Sequence, residues 1–88
     1  GITDNLPRIL PDGSAARIGT SSWTVPRVFT WLQESGRVPT PDMMRTFNMG
    51  IGLIVAVTPG NADVVKSALG GTVIGEIVSG EPEVTYVQ

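Results

Sequence analysis

Polar residues able to do chemistry fall into two short stretches of this chain. One runs Gly1-Ile2-Thr3-Asp4-Asn5-Leu6-Pro7-Arg8, the other Arg45-Thr46-Phe47-Asn48-Met49-Gly50. A short helix opening at Gly1 to Asn5 can turn free backbone amides, backed by the helix dipole, toward a phosphate. The same residues also suit an ordinary capped helix with Thr3 or Asp4 as the cap. Asn5 and Arg8 stand about one turn apart and can share a face. Arg8 can clamp a phosphate through two parallel hydrogen bonds, or pair with Asp4. In the second stretch Arg45, Thr46 and Asn48 end a helix and lead into an apolar run, the type of loop at which ligands are often met. Thr46 and Asn48 can equally satisfy backbone groups in that turn. Gly50 and Gly52 permit close approach of backbone to a ligand or to a neighbouring helix.

What is absent narrows the chemistry further. The chain has no histidine and no cysteine. Zinc ligation by those residues, Ser-His-Asp catalysis, thiolate chemistry and disulfides are therefore excluded within it, and no metal ligands are expected. The net charge is −2, and the six basic residues are scattered without interleaved aromatics. Nucleic acid is not an expected partner. The longest apolar run, Ile51 to Val57, is strand-sized, far below the roughly 20 residues that span a bilayer. No basic leader precedes an apolar core as in a signal peptide, so no membrane partner is expected.

The 88 residues make at most one domain, and a chain this short buries only about 60–65% of its unfolded surface. With 41% hydrophobic and 16% charged residues it is globular. The charged share falls below the roughly one quarter usual in soluble domains. That fits a surface that meets other protein, and also a small apolar domain.

The elements that must position the two stretches follow from spacing. A short helix is expected near the start, with Pro7 in its first turn, then a turn at Pro11-Asp12-Gly13-Ser14 and a short strand around Ala15 to Ile18. Val25, Val28, Phe29 and Leu32 recur at helical spacing and predict a helix over Pro26–Ser35, with Trp31 beside the stripe and Gly36 at its end. Thr40-Pro41-Asp42 supplies a cap, a first-turn proline and an acid for a helix reaching about Phe47. Ile51–Val57 reads as a strand covered on both faces. Asn61 caps a helix over Ala62–Leu69, which Gly70-Gly71 ends. Thr72–Val78 and Glu83–Val87 read as strands, the last antiparallel to the one before. Strand, helix, strand favours a right-handed crossover with parallel pairing. The expected fold is α+β, a mixed sheet of Ile51–Val57, Thr72–Val78 and Glu83–Val87 covered by helices. Trp23, Trp31, Met43, Met44 and Phe47 are read as core, and Asp63, Glu76, Glu81 and Glu83 as solvated surface.

Gly1-Ile2-Thr3-Asp4-Asn5-Leu6-Pro7-Arg8-Ile9-Leu10-Pro11 resembles a segment of the aminoimidazole ribonucleotide synthetases, where Gly-Gly-Gly precedes Leu/Ile-x-Glu/Asp-Asn-Leu/Ile-Pro-Arg. Arg45-Thr46-Phe47-Asn48-Met49-Gly50-Ile51-Gly52 is similar to the family's Arg-Thr-Phe-Asn-x-Gly-Val/Ile-Gly. Ser22-Trp23, Pro26, Phe29, Trp31, Leu32 and Gln33 agree with it in order and spacing. The resemblance covers essentially the whole chain. Met49 departs from it, because many relatives have Cys there; packing is the role expected of that position.

The resemblance implies residues 1–88 as a partial C-terminal domain, with the ATP-binding N-terminal domain and the rest of the glycine run absent. It implies ATP-dependent ring closure of formylglycinamidine ribonucleotide to aminoimidazole ribonucleotide in de novo purine synthesis, by a cytoplasmic homodimer joined through the other domain. ATP and Mg²⁺ would serve the intact enzyme, with neither bound by this segment alone, which is expected to be inert. Gly1, Thr3, Asn5, Arg8, Thr46 and Asn48 are the residues it marks for substrate or phosphate binding, with none assigned to catalysis. The other readings are the C-terminal domain of a formylglycinamidine ribonucleotide synthetase, selenophosphate synthetase or thiamine-phosphate kinase, or a non-catalytic α+β binding module.

Overall fold

Ser14–Gly19 forms β1, and both of its edges are occupied. In the computed structural model, which describes residues 1–88, Gly75–Ser79 (β2) pairs antiparallel on one side and Val84–Val87 (β3) parallel on the other. The three-stranded mixed sheet therefore has the order β2-β1-β3. A central strand is pressed from both faces. Small Ala15 and Ala16 with Ile18 fill those buried positions, and Ala16 is fully enclosed. Arg17 points outward instead, opposite Glu76 in the register, and the two form an exposed ion pair. Pairs so exposed contribute little to stability.

The sheet differs from the sequence expectation in three ways. The strand read as minor, β1, is the centre. The two later strands flank it rather than pairing with each other. Ile51–Val57 forms no strand. A continuous apolar run says that a segment is suited to burial, not which strand it will pair with. Here it has no hydrogen-bonded neighbour, and only Ile51 and Ile54 reach the core, while Leu53 is 78% exposed.

The helices differ in what they pack on. Ile2–Asn5 (α1) continues into a 3-10 turn over Leu6–Ile9, and its buried Ile2 and Leu6 join Leu10, Ala16 and Ile18 in one core cluster. Gly1, not Thr3 or Asp4, precedes α1, and no side chain caps it. Arg27–Gly36 (α2) and Thr40–Thr46 (α3) meet around a second cluster of Met43, Met44 and Met49. Phe29, Leu32, Val38 and Phe47 pack against that cluster, with the Phe29 and Phe47 rings 5.8 Å apart. Of the expected stripe, Val25, Phe29 and Leu32 thus face methionines rather than the sheet, while Val28 is exposed. Trp31 lies off the stripe and is 63% exposed, contrary to the reading of it as core. Trp23 is half-buried and donates its indole N–H to the Met49 carbonyl at 3.0 Å.

Helix ends depart by single residues, for identifiable reasons. Arg37, not Gly36, takes the left-handed conformation after α2, at φ 53°. Its N–H reaches the Glu34 carbonyl and that of Val38 the Gln33 carbonyl, the double closure typical of a helix C-terminus. The turn returns Val38 to the methionine cluster. Thr40 is the first residue of α3 and makes no cap; its hydroxyl accepts from the Gln33 amide at 3.0 Å. Ala62–Leu69 (α4) ends at left-handed Gly70 as expected, but it buries no residue and stands off the sheet with Val64 and Leu69 exposed.

The solvent-accessible surface is 6133 Å², against about 5,000 Å² for a compact monomer of this size. The radius of gyration is 13.6 Å, against about 12 Å. Ile51–Val57 and α4 are among the segments that leave apolar side chains open.

Candidate functional site

The two polar stretches meet because position 1 is glycine. A β-carbon there would fall 2.6 Å from the Phe47 carbonyl oxygen and 2.8 Å from that of Arg45. Only glycine lets α1 dock against the end of α3. The docking creates a cavity of about 300 Å³ walled by Ile2, Leu6, Ile9 and Ile54, with Gly1, Asn5 and Asn48 supplying its polar groups.

Both asparagines also hold backbone. The Asn5 amide donates to the Gly1 carbonyl at 2.7 Å, and the Asn48 side-chain oxygen accepts from the Gly50 N–H at 2.8 Å. That turn carries Met49 and Gly50 at positive φ, 55° and 93°. What stays unspent is the side-chain oxygen and one N–H of Asn5, and both side-chain N–H groups of Asn48. No Lys or Arg side chain lines this cavity, and carbonyl oxygens crowd the Gly1 α-carbon. The cavity therefore matches a neutral amide-like group better than the phosphate foreseen for the N-terminal turn.

Thr3 faces elsewhere. It lines a second cavity of about 320 Å³ with Thr20, Thr40, Arg45 and Tyr86. The Thr3 and Tyr86 hydroxyls lie 2.7 Å apart. Arg45 makes one long contact, 3.4 Å, to Asp4. Burial pushes the Tyr86 pKa up and the Asp4 charge adds to this, against the lowering pull of the Thr3 hydrogen bond and the Arg45 charge. The phenol stays protonated at neutral pH. Thr20 donates to the Val87 carbonyl at 3.2 Å.

Arg8 and Thr46 line neither cavity. Arg8 is exposed, and the Asp4 that it was expected to meet pairs with Arg45 instead. Thr20, Thr40 and Tyr86 were not singled out as site residues in the sequence. Only the alternation in Val84-Thr85-Tyr86-Val87, which puts Val84 and Tyr86 on one face of a strand, hinted at any of them. No group of three or more carboxylates or other metal-binding side chains converges anywhere in the chain.

The whole chain, residues 1–88, matches the model of the AIR synthase related protein, C-terminal domain. It is 51% identical over 71 residues to the phosphoribosylformylglycinamidine cyclo-ligase of Neisseria gonorrhoeae, covering 81% of this chain and 21% of that protein. Similarity to the Neisseria meningitidis serogroup C cyclo-ligase is 50% over 70 residues, covering 80% and 20%. The chloroplastic/mitochondrial cyclo-ligase of Vigna unguiculata is 49% identical over 84 residues, covering 91% and 22%. The chain spans about a fifth of the length of these relatives.

Proposed function

Because this chain belongs to the family of AIR synthase related C-terminal domains, we propose that it serves as part of a phosphoribosylformylglycinamidine cyclo-ligase. The observation that carries the proposal is identity at about half of the aligned positions with relatives bearing that name.

In the proposed reaction the formyl oxygen of formylglycinamidine ribonucleotide attacks the γ-phosphorus of ATP, and ADP leaves. An amidine nitrogen then attacks the activated formyl carbon. Phosphate departs with the former formyl oxygen, and proton loss gives the aromatic aminoimidazole ring. Such chemistry rests on positioning and charge neutralisation rather than on a protein nucleophile. Asn5 and Asn48 hold the formamide end of the substrate: a free Asn48 N–H donates to a carbonyl oxygen, and the free Asn5 oxygen accepts an N–H. The acidic groups of these residues do not converge into a Mg²⁺ site. The 88 residues alone are inert, and the active enzyme is a cytoplasmic homodimer formed through the rest of the polypeptide.

The test is ATP-dependent formation of aminoimidazole ribonucleotide by the polypeptide that carries this chain, followed by mass spectrometry. Asn5→Ala and Asn48→Ala each lower turnover at least about tenfold, the cost of roughly one hydrogen bond to a reacting group, while the melting temperature changes little. Absence of product from formylglycinamidine ribonucleotide and ATP overturns the proposal. Full turnover in both variants removes the two asparagines from the site.

A further inference from the structure

The cavity between α1, α3 and β3 collects unspent hydrogen-bond donors and no acid. Thr40 accepts from Gln33, so its own hydroxyl proton is free. Thr3 and Tyr86 share one hydrogen bond, which uses one of their two protons and leaves the other. Arg45 commits a single N–H to Asp4 at 3.4 Å, a poor and half-exposed contact. A guanidinium has five N–H groups, so four remain. Asp4 sits outside the lining, and no carboxylate is within it.

We infer that Arg45, Thr40 and the Thr3–Tyr86 hydroxyl pair form a binding site for a phosphate-type oxyanion, distinct from the Asn5–Asn48 cavity. The guanidinium supplies charge and two parallel donors, the geometry that suits a tetrahedral oxyanion. The hydroxyls supply donors from α1, α3 and β3, three elements fixed by the core. A protonated phenol is required for donation, and the burial that raises the Tyr86 pKa keeps it so. At about 320 Å³, the cavity lies at the small end of ligand sites, roughly 300–1,000 Å³. It has room for free phosphate or for a phosphate monoester with its sugar. The site goes beyond the ring-closure reading and does not depend on it, because its occupancy is measured without turnover.

Asp4 provides a test that a purely structural ion pair would fail. It competes with the anion for Arg45, so removing its charge releases the guanidinium. The experiment is a titration of the 88-residue chain with inorganic phosphate and, separately, with ribose 5-phosphate, followed by amide chemical shifts. Saturable shifts are expected at Thr3, Thr40, Arg45 and Tyr86, and not at Asn48. Arg45→Met weakens binding about tenfold or more, as for loss of a charged hydrogen bond. Asp4→Asn strengthens it several-fold. Should Arg45→Met fail to fold, Thr40→Val, on an exposed residue, still weakens binding. Tighter binding of ribose 5-phosphate assigns a monoester, and equal or tighter binding of inorganic phosphate assigns the free ion; either supports the site. No saturable shift with either probe overturns it. So does a shift confined to Asn5 and Asn48, or an Asp4→Asn variant that binds no better than the parent.

Discussion

The hydroxyl oxygens of Thr3 and Tyr86 lie 2.7 Å apart and tie the first helix to the last strand. Nearly all of the sheet and of both core clusters lies between them in the chain, so this contact joins the two ends of the structure. It is supported nearby by the docking of Gly1 on the end of α3 and by the Asp4–Arg45 pair.

Tyr86 is the chain's single tyrosine, which makes its ionisation directly readable. Burial holds its pKa above the ordinary 10.0 in the folded state. The folded phenol therefore keeps its proton to higher pH than the unfolded one. The stability this contributes is complete below the unfolded value and is lost as pH rises through the folded one. Phenolate absorbance should titrate above 10.0 in the native chain and near it in urea. Tyr86→Phe should cost about 1 kcal/mol at neutral pH, the net worth of one hydrogen bond, and should flatten the decline of stability above pH 10. An unshifted native titration would contradict the burial of the ring.

Arg37 carries a left-handed conformation that glycine adopts without strain. For a residue with a β-carbon that conformation costs roughly 1–2 kcal/mol, partly offset by the entropy a glycine loses on folding. Arg37→Gly should therefore stabilise the chain, by about 0.5–1 kcal/mol in urea unfolding. Destabilisation would show that the Arg37 side chain contributes more than its backbone costs.

Gly50 and Gly52 stand two residues apart and should respond unequally to one methyl group. Gly50 has φ 93°, and a β-carbon on it would approach Pro26 Cγ to 2.7 Å, whereas one on Gly52 would meet nothing within 4 Å. Gly50→Ala should cost at least about 1 kcal/mol, and Gly52→Ala should stay within about 0.5 kcal/mol of the parent. Equal losses would place the constraint in the loop as a whole rather than at the Pro26 contact.

These contrasts show which features were legible in the amino-acid order. Helix spans were readable because Val25, Phe29 and Leu32 repeat at helical spacing and Gly70 marks a stop. Their partners were not, since a stripe states that it will be buried without stating against what; α2 faces methionines and α4 faces nothing. The sheet was misassembled in the reading because β1 is short and its two alanines look unremarkable, although small residues are what a strand packed on both faces can hold. The two polar stretches that carry Asn5 and Asn48 were legible in the amino-acid order. The Arg45–Tyr86 cavity was not, because its donors come one at a time from separate elements, with no spacing between them to detect.

The sharpest divergence between sequence and structure, at Ile51–Val57, has a direct test. As a strand paired on both sides, its alternate amides would be hydrogen-bonded and slow to exchange with solvent. In the structure no backbone amide from Gly52 to Val57 donates a hydrogen bond within the chain, and Leu53 and Val55 are 78% and 48% exposed. Hydrogen exchange of the chain at low concentration should therefore label Gly52–Val57 at close to the unprotected rate. The Ala16 amide, bonded to the Glu83 carbonyl at 2.9 Å, should stay protected until the sheet opens. An exposed apolar segment with free amides is also a template for pairing with another strand. Protection at Gly52–Val57 that grows with concentration, and disappears on Val55→Lys, would show copies pairing through this segment. Protection that is strong and independent of concentration would show the segment paired within a single chain, contrary to the fold described here.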